Sequence, residues 1–180
     1  GRWGTDDQRG TLNLISPQHV RRAVATVTEG RSIGCGTVDE TPSVANPEPP
    51  QHHMLAAGDL ATDGCGIATD YLGLAPHGST ITHIDALCHV FFDGQMYNGR
   101  PASLVRSTGA EANAVAALAD GVTTRGVLLD IPRLRGVAFV EPDEPVTAAE
   151  LTAAAELAGV EPQPGDAVII RVGREVRCRV

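Results

Sequence analysis

Positive charge is scarce in this chain. Fourteen basic residues stand against 22 acidic ones, for a net charge of −8. That balance argues against nucleic acid or an anionic membrane as a partner, because both are bound mainly through Lys and Arg. No apolar run approaches the roughly 20 residues of a membrane span, and no signal-peptide pattern is visible. The four cysteines, Cys35, Cys65, Cys88 and Cys178, form no C-x-x-C pair. In a chain of this size that argues against a disulfide framework, so reduced thiols and a cytoplasmic location are expected. There is no G-x-G-x-x-G, no phosphate loop, no internal repeat and no low-complexity segment. Aromatic residues are few, at 3%.

What is present fits a globular domain with a real core: 180 residues, 42% hydrophobic and 20% charged. Ser16-Pro17 followed by Val20, Ala23, Val24 and Val27 predicts a helix ended by Gly30. Segments 31–38, 52–57, 68–74, 79–85, 126–131 and 167–172 read as strands. Residues 39–51 form a proline-rich loop and 59–66 a turn. Asp93-Gly94 and Asn98-Gly99 are turn signals. Residues 111–120 read as a short Ala-rich helix, and Pro132 should stop the strand before it. Thr147 and Glu150 make a capping box at the head of a helix closed by Gly159. Interleaved helices and strands predict an α/β domain, with α+β as the alternative, built on a mixed β-sheet with flanking helices.

Chemistry concentrates between residues 77 and 89, where three of the six histidines lie: His77, His83 and His89, with Asp85 among them. Imidazole nitrogen and carboxylate oxygen together suit a divalent metal such as zinc or manganese. His83 and Asp85 are two apart, so on an extended segment they share a face. His89 follows on the next turn, as a further ligand or a proton carrier. His77 would sit about 20 Å from His83 on a regular strand, at roughly 3.3 Å per residue. It reaches the metal only if a bulge or turn at Gly78-Ser79 folds it back. The neighbours Ile81, Ile84, Leu87, Val90, Phe91 and Phe92 are apolar, which predicts an interior segment. His52 and His53 are adjacent and read as a surface pair, since at most one could face a site. Cys88 reads as a small buried hydrophobe.

The segment resembles the metal-dependent cyclase family, which includes bacterial kynurenine formamidase and isatin hydrolase. The family pattern is H-x-x-x-H-x-D-x-x-x-H, and His83, Asp85 and His89 match its last three positions. Trp3 to Gln8, Gly10 to Leu14, His89 to Gly94, Met96 to Gly99, Thr124 to Asp130 and Pro164 to Asp166 also fit, so the likeness runs from residue 3 to about residue 175. It implies a single cyclase-like domain of swivelling β/α type over residues 1–180 and a hydrolase that opens an amide bond with a divalent metal, zinc or manganese. His83 and Asp85 would bind the metal, with His77 a further candidate. His89 would carry the proton that the departing nitrogen needs. Phe91, Phe92 and Tyr97, with Trp3, would suit an arylformamide or cyclic amide. The family's first ligand position is Ser79 here, and no histidine follows His89. With the abrupt end at Arg-Cys-Arg-Val, this leads to the expectation of a truncated chain whose distal His and acidic ligands lie beyond residue 180. Family membership also implies a homodimer or larger homo-oligomer. Two other readings compete. One is a non-catalytic binding domain on the same fold, motivated by Ser79; the other is a cysteine hydrolase using Cys88 and His89.

Overall fold

The structure is a computed structural model that describes residues 1–180 except 43–45, 61–63, 65, 79 and 179–180. It is a mixed α/β protein, as expected. In chain order its helices and strands are α1 (Pro17–Val24), β1 (Gln51–Ala56), β2 (Thr69–Gly73), β3 (Gln95–Met96), β4 (Arg100–Pro101), β5 (Val105–Arg106), β6 (Gly109–Ala110), β7 (Gly126–Asp130), α2 (Ile131–Arg135), α3 (Ala148–Ala158), β8 (Ala167–Arg171) and α4 (Arg174–Arg177). Among the described residues the strands pair as four two-stranded sheets. β7–β8 is parallel and the other three are antiparallel.

The core lies in the β7–α2–α3–β8 unit. Val127 and Leu129 point inward from β7 and are buried, while Leu128 between them is exposed, the period-2 alternation of a half-covered sheet. Ile131, Val140, Ala154 and Ala155 complete the buried cluster, and Leu134, Val146, Leu151 and Val160 pack around it. A parallel pair needs a long crossover, and here two helices supply it. Pro132 does not merely stop β7. It occupies the first turn of α2, where a missing N–H costs no hydrogen bond, while the Asp130 carboxylate accepts from the Arg133 N–H at 3.1 Å. The capping box at α3 forms as predicted. Glu150 N donates to Thr147 Oγ1 at 3.3 Å, and Thr147 N donates to Glu150 Oε2 at 2.8 Å. Arg135 then ties α2 to α3 through Glu150 at 2.7 Å and to the preceding loop through Glu144 at 2.9 Å.

Several segments depart from the sequence reading. α1 stops at Val24, well before Gly30, where the Thr26 hydroxyl donates to the Ala23 carbonyl at 2.7 Å and so competes with continuation of the helix. Residues 31–38 form no strand, nor do the described residues 80–85 of the strand expected over 79–85. They meet in one isolated bridge, Val38 to Ile81. Thr82 Oγ1 takes the Thr37 N–H at 2.8 Å, and His83 Nδ1 lies 2.8 Å from the Ile81 carbonyl; side chains occupy backbone groups that a ladder would use. Ser79 lies outside the described residues, as does part of the 59–66 turn. The expected 111–120 helix is reduced to a 3-10 turn over Val115–Leu118. Tertiary contacts override alanine's propensity here: Glu111 N donates to Leu104 O beside the β5–β6 pair, and Asn113 is buried with φ 58°. The turn signal at Asp93-Gly94 holds. Both residues have positive φ, and Phe92 and Gln95 exchange backbone hydrogen bonds at 2.8 and 2.9 Å.

Candidate metal centre

The segment carrying the histidines is loop, not strand, and this decides the site. Gly78 has φ 130°, a conformation natural to glycine alone. The chain reverses there instead of extending, and His77 comes back onto the other histidines. Its ring centroid lies 5.4 Å from that of His83, edge-on, and 4.2 Å from that of His89, stacked. The separation of about 20 Å expected for a regular strand is thereby overturned, by the fold-back that sequence reasoning named as the alternative.

Asp85 is the hub. Its Oδ1 lies 2.9 Å from His77 Nδ1, 3.5 Å from His83 Nε2 and 3.9 Å from His89 Nε2. One ligand atom from each of His77, Asp85 and His89 falls within 4.8 Å of the others. Two ligands about 2.1 Å from one tetrahedral ion are themselves about 3.4 Å apart, so the three nitrogen–oxygen separations straddle the spacing that a shared ion needs. His83 is oriented by its surroundings. Its Nδ1 faces the Ile81 carbonyl at 2.8 Å. A carbonyl only accepts, so Nδ1 carries a proton, and Nε2, directed toward Asp85, is the ring nitrogen available to a ligand. The side chain of His83 is 19% exposed, against 55% for His77, 46% for Asp85 and 40% for His89. Three of the four candidate side chains therefore face solvent.

The apolar neighbours are not the interior segment predicted. Ile81 is buried, but Ile84, Val90, Phe91 and Phe92 are exposed, because a loop does not present a continuous face to the core. Phe91 instead lines a cleft of about 470 Å³ with Ile84, Val105 and Val115, open to His77, Cys88 and His89. Phe92 is 81% exposed and Tyr97 is engaged elsewhere, so an aromatic wall is reduced to Phe91. A second cleft of about 210 Å³ runs along Arg9, Thr11, Asp85 and Leu87. Cys88 is half-buried and free, like the exposed Cys35 and Cys178; Cys65 lies outside the described residues. His52 and His53 take no part in the cluster. His52 pairs with Asp70 at 2.9 Å and His53 stacks on Tyr71, both on exposed β1, so the surface pair holds.

The N-terminal segment is tied to the Tyr97–Asn98 turn. Tyr97 Oη donates to Asp7 at 2.6 Å, and Asn98 Nδ2 donates to the carbonyls of Gly4 and Thr5 at 2.8 and 2.9 Å. The Tyr97 hydrogen bond leads the interactions that hold the Asp7 carboxyl down at about 2, and it pushes the Tyr97 phenol up. Asn113, not singled out in the sequence, continues this brace together with Gln8 of the N-terminal stretch. Gln8 Oε1 accepts the Asn113 N–H at 2.7 Å, and Asn113 Nδ2 donates to Tyr97 O at 2.9 Å. The available signal was an asparagine, tolerant of positive φ, inside a stretch read as uniformly helical.

The chain thus holds a half-covered parallel pair with flanking helices and, on a separate loop, a cluster of three imidazoles and a carboxylate. The profile of the Putative cyclase family matches residues 16–178, and the chain belongs to that family. The crystal structure of a novel cyclase is similar, with a TM-score of 0.87 and 30% sequence identity. The match covers 96% of this chain and 62% of that one, so this chain spans less than two thirds of its relative's length. No curated protein matches. Among the described residues no helix is long and apolar enough to cross a membrane.

Proposed function

We propose that this chain carries the metal-binding half-site of a metal-dependent amidohydrolase, which cleaves the C–N bond of a small arylformamide or cyclic amide. One observation carries the reading: Asp85 Oδ1 has an imidazole nitrogen from each of His77, His83 and His89 within 3.9 Å. Nitrogen and oxygen donors in this proportion fit zinc or manganese. His83, Asp85 and His77 would hold the ion. When bound, such a cation supplies Lewis acidity, acidifying water and polarising a carbonyl. Asp85 offers the negative charge that attracts the cation and that the imidazoles lack. The Ile81 carbonyl keeps His83 in the tautomer that leaves Nε2 available. His89, stacked on His77 and 40% exposed, has its Nε2 at the mouth of the site, where it can donate a proton to the departing nitrogen. The cleft beside Phe91 would seat the apolar part of the amide.

The test is a zinc or manganese titration of the protein and of His83→Ala and Asp85→Ala, with hydrolysis of an arylformamide and a cyclic amide measured alongside. Metal uptake and amide hydrolysis should fall together in both variants. Undiminished hydrolysis by a metal-stripped preparation would refute the reading. The exposure of three of the four side chains favours one competing reading, cation binding without catalysis, since hydrolytic sites exclude bulk water. Tight metal binding with no hydrolysis of either amide class would select it.

A further inference from the structure

Asn113 has no place in the chemistry just described, yet it is among the most constrained residues in the protein. It is fully buried, at 0% exposure, and is one of three described non-glycine residues with positive φ, at 58°. Such a conformation is held only where the surroundings over-determine it, and it recurs beside functional sites. Asn113 joins three segments distant in sequence. Its N–H donates to Gln8 Oε1 at 2.7 Å, its Nδ2 donates to Tyr97 O at 2.9 Å, and its carbonyl accepts the Cys88 N–H at 3.1 Å. The last of these bonds holds the residue next to His89. Its Oδ1 is buried without a hydrogen-bond partner among the described residues, a cost that a residue serving only to fill space would not carry. The following residues Ala114 and Val115 line the cleft that opens on His77 and His89.

We propose that Asn113 is a positioning residue. By clamping Cys88 to the Tyr97 turn and the N-terminal segment, it fixes the His89 imidazole in its stack on His77. Among the described residues the other backbone bond within the 86–89 turn is His89 N to Ala86 O at 3.0 Å, which is local and cannot set the turn's position against the rest of the fold. Asparagine suits the task because it tolerates the left-handed conformation and supplies a donor that glycine lacks.

The role in turnover rests on the amidohydrolase reading; the clamp itself does not. The test compares the protein with Asn113→Gly, which accepts φ 58° without strain but loses the link to Tyr97, and with Asn113→Asp, which keeps the shape but, measured at a pH where its carboxyl is ionised, has no side-chain donor for Tyr97 O. Amide exchange at Cys88 and His89 should quicken in both variants, while exchange in the β7–β8 pair stays unchanged. Where the protein turns over an amide, kcat should fall roughly tenfold, as misplacement of a reacting group predicts, with KM and bound metal unaltered. Folded variants whose Cys88 and His89 exchange matches the parent overturn the proposal, as does a fall in kcat shared equally by KM or metal content. If the parent shows no amide hydrolysis, the amidohydrolase reading fails alone, and the exchange measurement still decides the clamp. If Asn113→Gly does not fold, Asn113→Asp decides it.

Discussion

Truncating Leu129 to alanine tests where the core ends. Leu129 is 2% exposed on the inner face of β7 and belongs to the cluster of Val127, Ile131, Val140, Ala154 and Ala155. Leu→Ala removes about three carbons, worth roughly 2.4 kcal/mol of transfer at about 0.8 kcal/mol each. The neighbouring alanines on α3 belong to a helix tied to α2 through Arg135 and Glu150, so the hole closes only partly. Cavity cost then brings the loss to about 3–4 kcal/mol. For a chain of this length about 1 kcal/mol lowers Tm by roughly 2–4 °C, which predicts a drop of roughly 6–16 °C. The adjacent Leu128→Ala is the control. Leu128 is 52% exposed on the outer face, so about half the transfer value is at stake and no cavity forms, for about 1 kcal/mol and roughly 2–4 °C. Scanning calorimetry of the two variants reads both numbers. Equal losses would refute the reasoning, because they would mean that the outer face of the β7–β8 pair is covered in solution as fully as the inner.

Further outcomes follow from other sites. Glu150 is held at about 2, against an ordinary 4.5, chiefly by its hydrogen bond from Arg135. Because the folded value is the lower one, the stabilisation is fully present above about pH 4.5 and is lost as pH falls toward 2; melting curves across that window should show less acid loss in Glu150→Gln than in the parent. Gly173→Ala should be among the most damaging single-methyl additions, since a Cβ there meets Ala138 O at 2.7 Å and Phe139 Cα at 2.9 Å with φ already at 76°; a melting temperature within a degree or so of the parent would contradict that packing. On the amidohydrolase reading proposed above, His89→Ala should abolish turnover while retaining most of the zinc or manganese, whereas His83→Ala should lose the metal, and metal analysis after dialysis separates the two. Equal metal loss in both would make His89 a ligand rather than a proton carrier.

The elements legible in the sequence are those whose cause is local. Thr147 with Glu150 and Asp93 with Gly94 each rest on residues within a turn of one another, so their geometry follows from sequence distance alone, whereas the exposure of Leu128 on the strand read as buried over 126–131 depends on which face α2 and α3 cover. Residues 79–85 and 111–120 were misread for the opposite reason. Thr82 and His83 spend their polar atoms on a distant or folded-back backbone, and Asn113 is held by Gln8, Tyr97 and Cys88. No window of neighbours contains those partners.

The same division runs through the candidate site. By itself the sequence determined which side chains bear the chemistry, because three imidazoles and a carboxylate between residues 77 and 89 are a matter of composition, and its resemblance to the cyclase family, carried by His83, Asp85 and His89 with the accompanying stretches, agrees with the family match over residues 16–178. Only the tertiary structure decided that His77 joins them, that Asp85 is the shared oxygen, and that the surrounding apolar residues face outward. Those facts depend on the reversal at Gly78 and on the brace running from Asp7 through Tyr97 to Asn113, and a chain's long-range closures are set by the partners it meets in space.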